Sequence, residues 1–237
     1  AWLGGASLRY QFENGFAVFG SYAYTESFPI LDDTPTTAGS NRTRIFTAEE
    51  SSTYEAGLSY DTVGVFSDSD TLALKLNYYD TTLEDITFLS GLDEVSLQGI
   101  ELEGSFAHES GFYIDLNGNF TEGDEIATDG TSTTYRNLAA DSLRVLAGKR
   151  FGGFLDVSLE AVAVDEADVI FRSGNEEQGD SYTIFNARAT VSPQSGILEG
   201  TSFRIGVENL SDETYTPNLS TRRATGQNVK LTVSRQF

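Results

Sequence analysis

The chain has 237 residues, a formal net charge of −21 and an isoelectric point near 4.2, a balance that argues against nucleic acid, whose phosphate backbone needs a basic surface. Hydrophobic residues make up 39% and cysteine is absent, which excludes disulfides, thiolate metal sites and cysteine nucleophiles. No window approaches the roughly 20 apolar residues of a membrane-spanning helix, whereas a spanning β-strand needs only about 9–11 residues with alternate positions apolar. The chain begins Ala1-Trp2-Leu3, with no signal peptide and no methionine anywhere, and reads as a fragment or processed form.

Period-2 alternation of apolar and polar residues predicts eleven strands: 5–12, 16–27, 51–61, 71–87, 95–107, 111–123, 139–150, 154–169, 181–192, 201–214 and 225–237. In 71–80, Leu72, Leu74, Leu76 and Tyr78 share a face. The register in 95–107 is read as slipping at Gly99, where a β-bulge is expected. In 111–121, Phe112, Ile114, Leu116, Gly118 and Phe120 oppose Tyr113, Asp115, Asn117 and Asn119. Towards the end, Phe203, Ile205 and Val207 alternate with Arg204, Gly206 and Glu208, and Val229, Leu231 and Val233 with Lys230, Thr232 and Ser234.

The links between these strands alternate in character. Glu13-Asn14-Gly15, 108–111 and Gly152-Gly153 are short, and 62–70 and 193–200 somewhat longer. The links 28–50, 88–94, 124–138, 170–180 and 215–224 are mostly long and polar. Up-and-down membrane barrels have short periplasmic turns and long extracellular loops. The polar face carries Arg9, Glu55, Lys75, Glu101, Glu103, Asp115, Arg144, Glu160, Arg188, Arg204, Glu208 and Lys230, charges that suit a wide, wetted lumen and not a small dry interior. Two alternatives stay open on the residues alone. One is a soluble β-sandwich binding module with the apolar face as its core. Another is a passive porin, or a small self-contained barrel, which the odd strand count disfavours.

Phe19 to Pro29, Glu49 to Leu58, Lys75 to Tyr79, Gly99 to Glu103 and Gly206 to Tyr215, read in this order and spacing, resemble segments of the C-terminal barrel half of TonB-dependent receptors. Phe19-Gly20-Ser21-Tyr22-Ala23-Tyr24-Thr25-Glu26-Ser27-Phe28-Pro29 looks like the family's strand into a Ser-Phe-x-Pro loop. Glu49 to Leu58, Lys75 to Tyr79 with Leu83 to Ile86, and Gly99-Ile100-Glu101-Leu102-Glu103 are similar to further barrel motifs. Gly206 to Tyr215 matches the penultimate Asn-Leu-x-Asp-x-x-Tyr strand. Gly226-Gln227-Asn228 stands where the family often has Gly-Arg-x, without the arginine, and Phe237 ends the chain. The resemblance implies an all-β, antiparallel up-and-down transmembrane barrel of the plugged 22-stranded type, of which residues 1–237 are a partial domain without the plug, open as a sheet when isolated. It implies import of a ferric siderophore, or of haem or a haem–protein complex as the alternative, and no enzyme activity. It also implies a Gram-negative outer-membrane location, lipid contact, coupling to an inner-membrane TonB complex through a missing N-terminal part, and insertion by the barrel-assembly machinery, for which Phe237 is the signal. No cofactor is implied.

The candidate ligand contacts lie in the predicted extracellular loops. Arg42, Arg44, Arg172, Arg222 and Arg223 suit anionic chelates through their planar fork of donors, and Tyr135 and Phe171 add apolar contact. The sole histidine, His108, falls in a short periplasmic turn, where it reads as an exposed turn residue and not a haem ligand. With it there, no catalytic triad has support. No metal site is assigned. The acidic runs 122–125 and 165–168 have carboxylates of the kind that bind Ca²⁺ but not the EF-hand spacing, and read as solvated loops. The two edge strands of an isolated half-barrel are expected to make it unstable as a monomer.

Overall fold

The computed structural model describes residues 1–28, 48–86, 92–172 and 175–236, with the side chains of 168–178 outside the description. Fourteen strands are present among these residues: β1 (Leu3–Gln11), β2 (Phe16–Ser27), β3 (Glu49–Val63), β4 (Thr71–Glu84), β5 (Leu92–Ala107), β6 (Phe112–Ala127), β7 (Ser132–Thr134), β8 (Ser142–Phe151), β9 (Leu155–Val164), β10 (Ala167–Arg172), β11 (Asn175–Gly179), β12 (Tyr182–Val191), β13 (Thr201–Glu208) and β14 (Asn228–Arg235). One open sheet runs β1-β2-β3-β4-β5-β6-β8-β9-β12-β13-β14, with β7 paired to β6. Strands β10 and β11 form a separate hairpin. The eleven strands on the path match the eleven predicted, and each is antiparallel to the next.

The pairing sorts the side chains into two faces. Tyr10, Val18, Leu58, Leu76, Leu102, Gly118 and Leu143 lie side by side across seven strands. Leu159, Ala187, Val207 and Val229 continue this face across the last four. Many of these apolar side chains are exposed, Leu76 by 43% and Val229 by 62%. On the opposite face, Ser59, Lys75, Glu103, Asn117 and Arg144 form one row. Such a wall is apolar on the outside and polar on the inside. The apolar outer row from Phe112 to Phe120 spans nine residues of β6, within the about 9–11 that a tilted spanning strand needs. Among the described residues no second large sheet packs on this face, and Phe112 is 38% exposed, which speaks against a sandwich.

Inward aromatic rings lie over inward glycines of the neighbouring strand. A Cβ on Gly57 would come within 2.2 Å of Phe19, one on Gly99 within 2.6 Å of Tyr79 and of the Phe120 carbonyl oxygen, and one on Gly148 within 2.2 Å of Tyr113. The bulge expected at Gly99 is not there. Gly99 pairs regularly with Tyr79 and Thr121, and the irregularity of β5 falls between Leu92 and Glu94. What changes at Gly99 is the side on which apolar residues stand. Beyond the outer row Tyr78–Ile100–Phe120 the outward residues become polar: Tyr78 Oη donates to Gln98 Oε1 at 3.1 Å and Gln98 Nε2 to Glu122 Oε2 at 3.2 Å. The inward residues become apolar there, and Val95 joins Ile86 and Leu92 in a buried cluster covered by Leu83, Leu97 and Tyr135. The strands have left the apolar slab and carry a small core of their own.

Two boundary expectations are also corrected. The predicted strand 154–169 ends at Val164, where Asp165 N–H bonds the Asp141 carbonyl, and Ala167 starts the separate hairpin. The predicted strand 201–214 ends at Glu208, because Asn209 turns with φ 52°.

All five links at one end are turns. In the first, Gly15 (φ 89°) donates to the Phe12 carbonyl and Asn14 Oδ1 accepts from Phe16 N–H, a conformation that glycine adopts without steric cost. In 64–70, Asp70 is fully buried. Its carboxylate accepts N–H bonds from Val65 (2.7 Å), Phe66 (2.7 Å) and Ser67 (2.9 Å). Burial pushes its pKa up, but the amides of Phe66, Val65, Ser67 and Gly64 outweigh that and hold it below the usual 3.8. A depressed carboxylate pKa gives stability that is complete above the ordinary value and is lost as pH falls through the lowered one. Asp70→Asn in the full-length protein is therefore expected to speed amide exchange at Val65, Phe66 and Ser67 at neutral pH. The parent should show such opening only in acid. Equal exchange in both proteins at neutral pH would contradict this.

Candidate functional site

The loop end and the polar inner wall are where chemistry gathers. The inner wall is cross-linked. Lys75 Nζ lies 3.4 Å from Glu103 Oε1, and Asn77 Nδ2 donates to Glu101 at 3.2 Å. Arg144 pairs with Glu160, which also accepts from Asn186 Nδ2 at 2.7 Å. Tyr113 Oη donates to Asp156 Oδ1 at 2.8 Å, and Arg150 stands over the Tyr113 ring at 4.5 Å while pairing with Asp156. Strand alternation alone delivers these residues to one side, and cross-strand opposition puts acid beside base.

At the loop end the segment 209–227 folds on Asn209. This residue is 2% exposed, and its N–H bonds Asn186 Oδ1 at 2.9 Å. Its side chain donates to the Glu213 carbonyl and accepts from Glu213 N–H, both at 2.8 Å. Asp212 Oδ1 accepts from Gln227 N–H at 2.8 Å, and Tyr215 stacks on Tyr182 at 4.2 Å. The Asn-Leu-x-Asp-x-x-Tyr motif is thus a loop-folding device. Asn218 Oδ1 accepts from Ala140 N–H at 3.0 Å, joining this loop to the one that follows β7. Replacing Asn209 with alanine removes three such bonds, worth roughly 0.5–1.5 kcal/mol each (the main-chain one indirectly, by releasing the turn). Limited trypsin digestion is expected to cut at Arg222–Arg223 faster in that variant of the full-length protein, and an unchanged rate would count against this role.

The predicted contacts are only partly brought together. Arg222 and Arg223 are exposed on the loop 209–227. Tyr135 is half-buried against the Ile86, Leu92 and Val95 cluster, with its N–H on the Gly123 carbonyl. Phe171 and Arg172 lie in β10, opposite Glu176 and Asn175, and their side chains are outside the description. Arg42, Arg44 and Phe237 lie outside the described residues. The acidic run 122–125 is split by alternation: Glu122 and Asp124 face outward, and Glu125 faces inward. Glu125, 6% exposed, takes Arg136 by Nε at 2.8 and 3.0 Å and by Nη2. Sequence reading missed this pair, although the eleven-residue separation across the β6–β7 turn allows it. Among the described residues no group of three His, Asp or Glu side chains is arranged to hold a metal ion. His108 sits at the turn end, its Nδ1 2.9 Å from Ser110 Oγ.

The chain matches the family described as TonB dependent receptor-like, beta-barrel over residues 1–210. It belongs to the TonB-dependent receptors. These are outer-membrane β-barrel proteins of Gram-negative bacteria, and they act as transport receptors. No curated protein sequence matches the chain. Among solved structures it is similar to the copper transporter OprC, with a TM-score of 0.79 and 15% identity over 99% of this chain and 39% of that one. It is similar to the hemophore receptor HasR of Serratia marcescens, solved with its hemophore HasA and heme, at TM-score 0.74 and 16% identity over 98% and 39%. It is also similar to the ferric-catecholate import receptor Fiu of E. coli K12, at TM-score 0.73 and 14% identity over 98% and 34%. The chain therefore spans about two-fifths or less of these TonB-dependent receptors, and at such identities the likeness is one of fold.

Proposed function

We propose that the chain is the C-terminal barrel portion of an outer-membrane receptor that imports a ferric siderophore. The observation that carries this reading is the family match over residues 1–210 on a wall that is apolar outside and charged inside. Relatives of the same fold include a ferric-catecholate import receptor. Loop arginines Arg222 and Arg223, with Arg42, Arg44 and Arg172, are the proposed contacts for an anionic chelate, and Phe171 and Tyr135 border them. Energy comes from an inner-membrane TonB complex acting on the part of the receptor that lies N-terminal to the barrel in this family, lipid contacts the outer belt, and the barrel-assembly machinery inserts it.

A haem or haemoprotein cargo is the second reading, favoured by the likeness to a hemophore receptor. The sole histidine at the turn end weighs against histidine ligation from this chain's loops. Growth of an iron-starved receptor-deletion strain, complemented with the full-length gene, separates the two. Growth on ferric siderophores and not on haem is the expected result. Growth on haem alone would replace the first reading with the second, and growth on neither would sink both. Deleting Phe237 from the full-length receptor is expected to lower the amount of heat-modifiable barrel in membrane fractions. Unchanged levels would remove its role as assembly signal.

A further inference from the structure

The charges on the outer face are sorted by end. Among the described residues of the main path, outward acids stand only toward the loop end. Glu26, Glu50, Glu84 and Glu94 fall side by side across four strands, and Asp80 and Glu122 share the row that runs through Tyr54 and Gln98. Outward cations stand only toward the turn end: Lys149 on β8 and Arg235 on β14. Arg235 Nη2 donates to the Ile197 carbonyl of the adjoining turn at 3.4 Å.

Lys149 is set among apolar side chains. Its row reads Phe112, Lys149, Val157, Ala189, Ile205 and Leu231 across six strands, and it is the one charged member. The next outward residue on β8 is Phe151, where the turn begins, and the ammonium stands 5.9 Å from the centre of that ring. Phe151 and Phe154 are both exposed. Lys149 has no carboxylate within salt-bridge reach among the described residues.

A lysine on a lipid-facing strand is costly at the bilayer midplane and cheap near an interface. Its aliphatic stem can lie along apolar surface while the ammonium reaches out to polar groups. From the turn end of β8 that reach ends among lipid headgroups, where the anion at hand is a phosphate, and an anionic lipid surface attracts a basic side chain. The glutamate row at the opposite end would repel the same group.

We propose that Lys149 is a phospholipid site: its ammonium holds the headgroup phosphate of a lipid in the leaflet at the turn end, and Phe112 and Phe151 flank the start of the acyl chains. The site rests on the lipid contact of the outer belt proposed above.

The test uses the full-length receptor, isotopically labelled at the lysine Nζ atoms and reconstituted in phosphatidylglycerol bilayers. Solid-state NMR reads the dipolar coupling of each lysine nitrogen to lipid phosphorus. Lys149→Arg, Lys75→Arg and Lys230→Arg keep the charge and identify the three signals by their loss, each variant being checked for normal barrel levels by heat-modifiability. The signal that Lys149→Arg removes is expected to be phosphorus-coupled. Those of Lys75 and Lys230, which pair with Glu103 and Glu208 on the inner wall, are expected to be uncoupled. An uncoupled Lys149 signal in a receptor that does enter bilayers would overturn the phosphate site and leave the lipid-facing wall standing. Coupling of equal strength at all three lysines would overturn it as well. A receptor that does not enter bilayers would remove the lipid-facing wall and the site with it.

Discussion

Leu76→Arg in the full-length receptor is expected to remove most of the assembled barrel from outer membranes, while Ser105→Arg leaves it in place. Leu76 lies in the middle of the outer row between Leu58 and Leu102 and is 43% exposed. If that face met water, a surface leucine could become arginine at a cost within about 0.5 kcal/mol. Facing lipid near the bilayer midplane, the same change costs about 2–4 kcal/mol. Ser105 occupies the inner wall between Ala73 and Asp115, where an added charge is hydrated. The readout is the heat-modifiable band in purified outer membranes. Parent-like amounts of the Leu76→Arg protein would mean that the apolar face is not lipid-exposed.

The second large effect belongs to Gly99→Val. Its Cβ would lie 2.6 Å from both the Tyr79 hydroxyl oxygen and the Phe120 carbonyl oxygen, and the Tyr79 hydroxyl is itself held by Thr121 at 2.9 Å. Overpacking of this kind typically costs about 1–3 kcal/mol, and here a backbone atom must move as well as a ring. Removing the ring with Tyr79→Ala should restore part of the loss, because the Phe120 carbonyl remains in the way. Denaturant midpoints of the refolded full-length variants measure both steps. A Gly99→Val midpoint equal to the parent's would show that the ring-over-glycine packing carries no weight.

Where one strand keeps one chemistry per face, as Phe112 to Phe120 does, the sequence already discloses both faces and the direction of each side chain. Gly99 misleads for a physical reason. Beyond the outer row Tyr78–Ile100–Phe120 the apolar side of β5 is exchanged, and in a linear reading that exchange looks like an extra residue. The break at Val164 is silent in the sequence because apolar residues continue through Ala167, Val169 and Ile170, while the ladder with β8 stops after the Asp165–Asp141 bond. In the candidate site, the loop-folding motif around Asn209 was legible as a motif but not as a set of bonds. The Glu125–Arg136 pair depends on neighbours across a turn, which no periodicity records.

Each inner strand along the main path hydrogen-bonds to the strand before and after it on that path, and among the described residues no connection on this path crosses over. Circumference is therefore a modular quantity. Adding or removing a whole hairpin lengthens or shortens the wall and leaves every later strand pointing the same way, with its long loop still at the same end. Adding a single strand would turn all that follow upside down and move their long loops to the opposite end of the wall. Growth of such a wall by duplication is confined to steps of two.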